Sequence, residues 1–285
     1  MRARLAHVAT RDEGWHGALP TTDAPLDVYT SADEHPGPGV ILVGVDGSQI
    51  YPDRHSAVLY YLIQVGGLIF RYDGSTPTPQ QEATLHFKNE ELYDELGLLI
   101  SKSAIGMERE VQEMAYLADL AESIRATDPT APLFALTDGP LLWSYGKRHK
   151  KESRALFDNL QAIDRLREAR ALPAGYIDRP GGRAVLDLLW ASRLAPHDLP
   201  DKLDENPLHP LTDRDLMAQV LPPHARTSWF RRPTPTNRTH AQHGHEIWFC
   251  YLNVGATTPI IARLEVPAWT VAGEETRSEE HTSEL

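Results

Sequence analysis

The chain has 285 residues, 41% of them hydrophobic and 24% charged. It is therefore long enough to bury a substantial core, and wholesale disorder is excluded. A formal net charge of -12 excludes a protein that coats nucleic acid through overall positive charge, so any contact with DNA falls to local basic patches. A single cysteine, Cys250 in the apolar run EIWFCYLNV, excludes an internal disulfide and a cysteine zinc site.

Residues 1–38 are rich in Pro, Asp, Thr and Gly and read as an irregular lead-in with no apolar secretory core. The most apolar stretch, Ala57–Phe70, is too short for a membrane span, and the expected compartment is the cytoplasm. The run VILVGVD from Val40 reads as a buried strand ended by Asp46-Gly47-Ser48. The runs AVLYYLIQV and LIFRY flank Gly66-Gly67 and read as a hairpin with a two-residue turn. From Asn89 to Ala126, apolar residues at three- and four-residue spacing predict one helix, stopped by Asp128-Pro129. LFALTDG then repeats the first theme, a short strand ending in Asp138-Gly139.

An amphipathic helix follows over Arg154–Arg170, then a strand and turn in AGYIDRPGG and a helix over Arg183–Ser192. Residues 196–240 are rich in Pro and charge, with one helical patch at Asp213–Val220. EIWFCYLNV and IIARLEVPAW read as a strand hairpin. Leading strands followed by alternating strands and helices define an α/β chain with a mixed central sheet flanked by helices.

Two apolar strands each end in Asp-Gly. If they lie side by side, Asp46 and Asp138 emerge at one edge, and a hard divalent cation relieves their repulsion. The helix between them offers Glu108, Glu110 and Glu113 as a third carboxylate for Mg²⁺ or Mn²⁺. Asp-Gly is equally the chemistry of a plain turn, and spacing alone does not decide between the two.

The stretch GVDGSQIYPDRHSAVLYYLIQVGGLIFRY resembles the opening of the NurA nuclease domain. MEREVQEM, LFALTDGPLL, LPAGYIDRPGGRAVLDLL, FCYLNVG and IARLEVPAW follow in the family's order, so the resemblance covers about Val40 to Trp269. It implies an RNase H-like fold, a Mn²⁺-dependent nuclease acting on DNA, a homodimer, and a hexameric HerA-type ATPase partner in DNA end resection. By motif, Asp46 and Asp138 resemble the family's two metal-binding aspartates. The family's helix glutamate follows an arginine by one turn, as Glu113 follows Arg109, with Glu110 the runner-up.

Around this set, Lys147, Arg148 and Lys150 of the run Lys147–Lys151, together with Arg179 and Arg183, are candidate DNA contacts. Arg231-Arg232 with Trp229 and Phe230 could grip a strand or serve hinge packing. His240, His243 and His245 cluster without the usual zinc spacing.

In the family, the strand ending Pro-Ala-Trp leads to a helical segment with a Tyr-Pro motif and a late histidine. Here only Thr270–Leu285 follows, and its RSEEHTSEL end resembles a translated sequencing adapter. The expected organisation is thus a lead-in over 1–38, a C-terminally truncated nuclease domain over 39–271, and a non-native tail over 272–285. The competing reading is a non-catalytic subunit that docks DNA or an ATPase. A phosphotransfer enzyme for small molecules is weaker, since no glycine-rich phosphate loop is present.

Overall fold

The computed structural model describes residues 15, 17–22, 29–31, 37, 39–93, 97–143, 150–195, 197, 198 and 202–271. The tail expected at 272–285 lies outside them. The chain forms two compact units, one built from residues 36–138 and 145–174, the other from 1–35, 139–144 and 175–285.

Two short strands, β1 (Leu19–Pro20) and β2 (Tyr29–Ser31), belong to the second unit. The first unit opens with β3 (Ile41–Ile50), β4 (Tyr61–Arg71) and β5 (Thr78–His86). A helical turn α1 (Asn89–Leu92), the long helix α2 (Lys102–Thr127), strand β6 (Leu133–Asp138) and helix α3 (Lys150–Glu168) follow. The chain leaves this unit within β7 (Ala171–Ile177). The strand order is β5-β4-β3-β6-β7, with β3 antiparallel to β4 and parallel to β6.

Three sequence expectations are corrected here. Gly66 and Gly67 make no turn: they lie inside the continuous strand β4, opposite Asp46 and Val45. Gly67 is needed for closeness, because a Cβ there would stand 2.5 Å from Leu120 Cδ1 of α2. Strand β3 does not end at Asp46 but runs on to Ile50, because β4 continues to pair with it after β6 has stopped. The helix expected from Asn89 is interrupted after Leu92. Gly97 takes φ 73°, and Ser101 caps α2 by accepting the Ala104 N–H at 3.2 Å.

The core of this unit follows from alternation. Ile41, Val43 and Val45 of β3 and Leu133 and Ala135 of β6 are buried, and α2 covers that face with Met114, Leu117, Ala118 and Ala121. Burying each large aliphatic side chain contributes about 1.5–3 kcal/mol. Helix α3 lies along α2 through Leu160, Ile163 and Leu166. Arg125 ties the helix ends together by donating to the carbonyls of Ala169, Arg170, Asp128 and Ala131.

The second unit holds helix α4 (Ala184–Arg193), a 3₁₀ turn at Leu203–Glu205 and helix α5 (Asp213–Val220). Strands β8 (Ala225–Thr227) and β9 (Phe230–Arg231), helix α6 (Pro235–Gln242) and the hairpin β10 (Ile247–Asn253) and β11 (Ile261–Pro267) complete it. Its strand order is β7-β11-β10-β9-β1, with β8 pairing β10 and β2. The stretch read as a lead-in supplies core here: Trp15, Ala18 and Leu19 are buried with Leu188, Met217, Phe230, Phe249 and Tyr251. Among the described residues, no helix is long and apolar enough to cross a membrane.

Candidate metal centre

The parallel register of β3 and β6 runs from Ile41↔Leu133 to Val45↔Thr137. One further step sets Asp46 beside Asp138, at the point where β6 stops. Residues level with one another on parallel neighbours leave the sheet on the same face. Both aspartates are exposed. The Asp46 carboxylate turns back to accept the N–H of Gly47 at 2.8 Å.

Glu113 reaches the same glycine from α2. A Cβ on Gly47 would collide with Glu113 Oε1 and stand 2.9 Å from Arg109 Cγ, so only glycine admits this approach. Arg109 Nη1 donates to the Gly47 carbonyl at 3.0 Å and stands 3.3 Å from Glu113 Oε1. Gly47 is thus the meeting point of Asp46, Arg109 and Glu113.

Burial pushes the Glu113 carboxyl up to about 7, with the charges of Asp46 and Glu110 adding to the rise while Arg109 and the Gly47 amide oppose it. Its Oε1 is buried and accepts no hydrogen bond. A buried carboxylate oxygen met by an ion pair but no hydrogen bond among the described residues, next to a second carboxylate, fits a hard divalent cation, which takes oxygen donors and relieves their mutual repulsion. The three acids do not form a ready-made cage: among the described residues, no three His, Cys, Asp or Glu side chains stand close enough together to hold a metal ion. Alternation gives the reason. Asp46 and Asp138 start from the face away from α2, whereas Glu113 arrives from the α2 side.

Of the other candidate acids of α2, Glu108 is engaged elsewhere, whereas Glu110 stays beside Arg109. Glu108 accepts from Tyr61 Oη at 2.9 Å and faces His86, while Glu110 stands 3.8 Å from Arg109. Of the basic candidates, the side chains of Lys147, Arg148 and Lys150 lie outside the described residues. Arg179 is exposed, with only a loose pairing to Asp178 at 3.4 Å. Arg183 has its Nη1 turned to the carbonyls of Leu208, His209 and Leu211, and its Nη2 lies 3.7 Å from Asp187. His240 and His245 are fully buried in the second unit.

Sequence reasoning missed Arg109 as the link between α2 and Gly47. The signal was its place one turn before Glu113.

A mixed α/β chain in which a strand aspartate and a helix glutamate meet at Gly47, with a second strand aspartate level with the first, defines a candidate carboxylate metal centre. The family model described as the NurA domain matches residues 40–279. The chain belongs to the NurA domain family, a nuclease family.

Among solved structures, a crystal structure of NurA aligns with 93% of this chain and 84% of its own at 10% identity and a TM-score of 0.38. A crystal structure of NurA bound to dAMP and manganese aligns with 83% of this chain and 79% of its own, at 10% identity and a TM-score of 0.38. A third, NurA with manganese, covers 81% and 79% at 11% identity and a TM-score of 0.36. These scores are too low to support any reading of the site, so the family assignment rests on the family match. No curated protein matches the chain.

Proposed function

We propose that this chain is a metal-dependent deoxyribonuclease with an RNase H-like fold, in which Asp46, Glu113 and Asp138 hold Mn²⁺ or Mg²⁺. The observation that carries the reading is the meeting of Glu113 and Asp46 at Gly47, one register step from Asp138. Bound divalent cations supply Lewis-acid activation of water and neutralise charge on the leaving oxygen. The chain's own contribution is placement. Asp46 and Asp138 are fixed by hydrogen-bonded strands, and Arg109 holds Glu113 against Gly47, where a bound cation would add a second counter-charge.

DNA as substrate, DNA end resection with a HerA-type ATPase, a homodimer and a cytoplasmic setting are carried over from the family resemblance. So is the span of the nuclease domain, 39–271. Lys147, Arg148, Lys150 and Arg179 are the proposed phosphate contacts. Arg183 joins them only if it gives up its bonds to the 208–211 segment.

One observation favours the second reading, a non-catalytic docking subunit: the three carboxylates do not converge into a cage. Cleavage of end-labelled DNA with Mn²⁺ or with EDTA decides between them. Asp46→Asn and Asp138→Asn are expected to lower cleavage by at least about a hundredfold with folding intact. Mn²⁺ is expected to raise the melting temperature of the parent chain but not of Asp138→Asn. DNA binding without cleavage, and without a Mn²⁺ effect on melting, would establish the docking reading instead.

A further inference from the structure

Arg231, Arg232 and Arg263 belong to the second unit, and two of them are accounted for. Arg231 pairs with Glu246 at 2.8 Å. Arg263 pairs with Glu265 at 2.6 Å, and its guanidinium lies 3.9 Å from the Phe249 ring centre. Arg232 is different. It is only partly exposed, its Nε is buried without an acceptor, and among the described residues its guanidinium makes no hydrogen bond and no ion pair.

The sheet explains why it faces Arg263. Phe230 pairs with Phe249, Phe249 with Glu265, and Tyr251 with Arg263, so these side chains share one face. Arg232, two residues after Phe230, continues on that face. Its backbone is fixed by Asn237, whose Nδ2 donates to the Arg232 carbonyl at 3.0 Å and to the Ile247 carbonyl at 2.9 Å. Burial and then the neighbouring Arg263 charge hold the Arg232 guanidinium below its ordinary value, with Glu265, Tyr251 and Asp213 opposing. The fold therefore keeps a positive charge where it costs stability.

The nearby acids offset that charge only in part and make no ion pair with it, because their oxygens are already engaged. Glu265 gives Oε1 to Arg263 and Oε2 to the Leu142 N–H at 3.0 Å. Asp213 accepts from the Val185 and Leu186 amides and from Tyr251 Oη at 2.7 Å. Gly182 passes with its Cβ position 3.8 Å from Arg263 Nη1, and nothing stands within 4 Å of the Cβ position of Gly181.

We propose that Arg232, backed by Arg263, is a binding site for a phosphate oxyanion, either a diester of a DNA strand or free phosphate. A guanidinium presents a planar fork of donors that matches a phosphate, and one left partly desolvated and unpaired is poised for an anion from outside. The DNA arm rests on the nuclease reading, but neither arm requires cleavage.

The test uses the full chain, Arg232→Gln, and Arg232→Lys, which keeps the charge. Melting is followed as inorganic phosphate replaces chloride at constant ionic strength. Binding of a labelled DNA oligonucleotide is followed in EDTA, so a failed nuclease reading leaves the result interpretable. Phosphate is expected to raise the melting temperature of the parent and of Arg232→Lys, but not of Arg232→Gln. DNA affinity is expected to fall roughly tenfold in Arg232→Gln, with the log–log salt slope reduced by about 1.

Without phosphate, Arg232→Gln should melt at or above the parent, because a buried unpaired charge has been removed. A phosphate response lost with DNA affinity unchanged assigns the site to free phosphate; the reverse pattern assigns it to the strand. Arg232→Gln retaining both responses overturns the proposal. So does a melting point several degrees below the parent in phosphate-free buffer, which would make the guanidinium a support of the fold.

Discussion

Gly47 concentrates the demands of the candidate centre on one residue. Its N–H is taken by Asp46, its carbonyl by Arg109, and the space a side chain would fill is occupied by Glu113. Gly47→Ala therefore has to displace the glutamate or the helix. The expected outcome is a loss of about 1–3 kcal/mol in unfolding free energy. Mn²⁺-dependent stabilisation and cleavage should fall further than that loss explains. Denaturant unfolding with and without Mn²⁺ measures both, and an alanine variant that responds to Mn²⁺ like the parent would remove Gly47 from the argument.

His240 makes a contrasting case, a titratable group with no assigned chemistry. It is fully buried and, among the described residues, neither ring nitrogen has a hydrogen-bond partner. Burial first, then His245 and His243, lowers its pKa from 6.5 to about 4. The folded state thus resists a proton that the unfolded chain accepts, and stability rises with pH across that interval. It is fully present above about 6.5 and falls as pH drops toward 4. A gap of that size corresponds to about 3 kcal/mol. The parent-minus-variant difference in unfolding free energy for His240→Leu should shrink on acidification from pH 7. A difference that stays constant would mean the ring is not held neutral.

At the scale of elements, legibility depended on whether an element is defined by its own residues or by its neighbours. Strand β6, helix α3, helix α5 and the β10–β11 hairpin carry their apolar periodicity within themselves, and they lie where the pattern placed them. The extension of β3 past Asp46 is fixed by β4, and the short strands β1, β2, β8 and β9 by pairings remote in sequence. The same holds for the sites. Repeated strand-Asp-Gly drew attention to Asp46 and Asp138 without separating a site from a turn, and the family resemblance, through Arg109, pointed to Glu113 with Glu110 as runner-up. The proximity of Arg232 and Arg263 arises only when β9, β10 and β11 align.

Gly66-Gly67 tests this distinction directly, since its turn-like composition belongs to a strand under a helix. A Cβ on Gly66 meets only the Asp46 and Gln80 carbonyl oxygens, at 3.8 and 4.0 Å, whereas one on Gly67 meets Leu120 at 2.5 Å and Tyr116 at 3.3 Å. Gly66→Ala is expected to be neutral or to stabilise by up to about 1 kcal/mol, as alanine does in place of a glycine without positive φ. Gly67→Ala should destabilise by about 1–3 kcal/mol. Thermal melts of the two variants report the order, and equal penalties at both positions would fit a turn instead.

At the scale of the molecule, the net charge of -12 leaves little long-range attraction for a polyanion, so recognition has to be assembled from local sites. On the proposed readings the two units would divide that work: the carboxylates lie in the unit of β3, β6 and α2, and the Arg232–Arg263 pair lies in the unit of β9, β10 and β11. Separate sites should give separable responses. A ligand at a hundredfold excess over its dissociation constant stabilises the bound state by about 2.7 kcal/mol, and local openings at its site are suppressed first. Hydrogen exchange under native conditions should therefore show Mn²⁺ slowing exchange in 41–50, 133–138 and the first half of α2 while leaving 247–267 unchanged. Phosphate should slow exchange around 230–242 and leave β3 and β6 alone. If either ligand protects both sets to the same extent, the ions act on the molecule's overall stability rather than at two built sites, and the division of chemistry between the units fails.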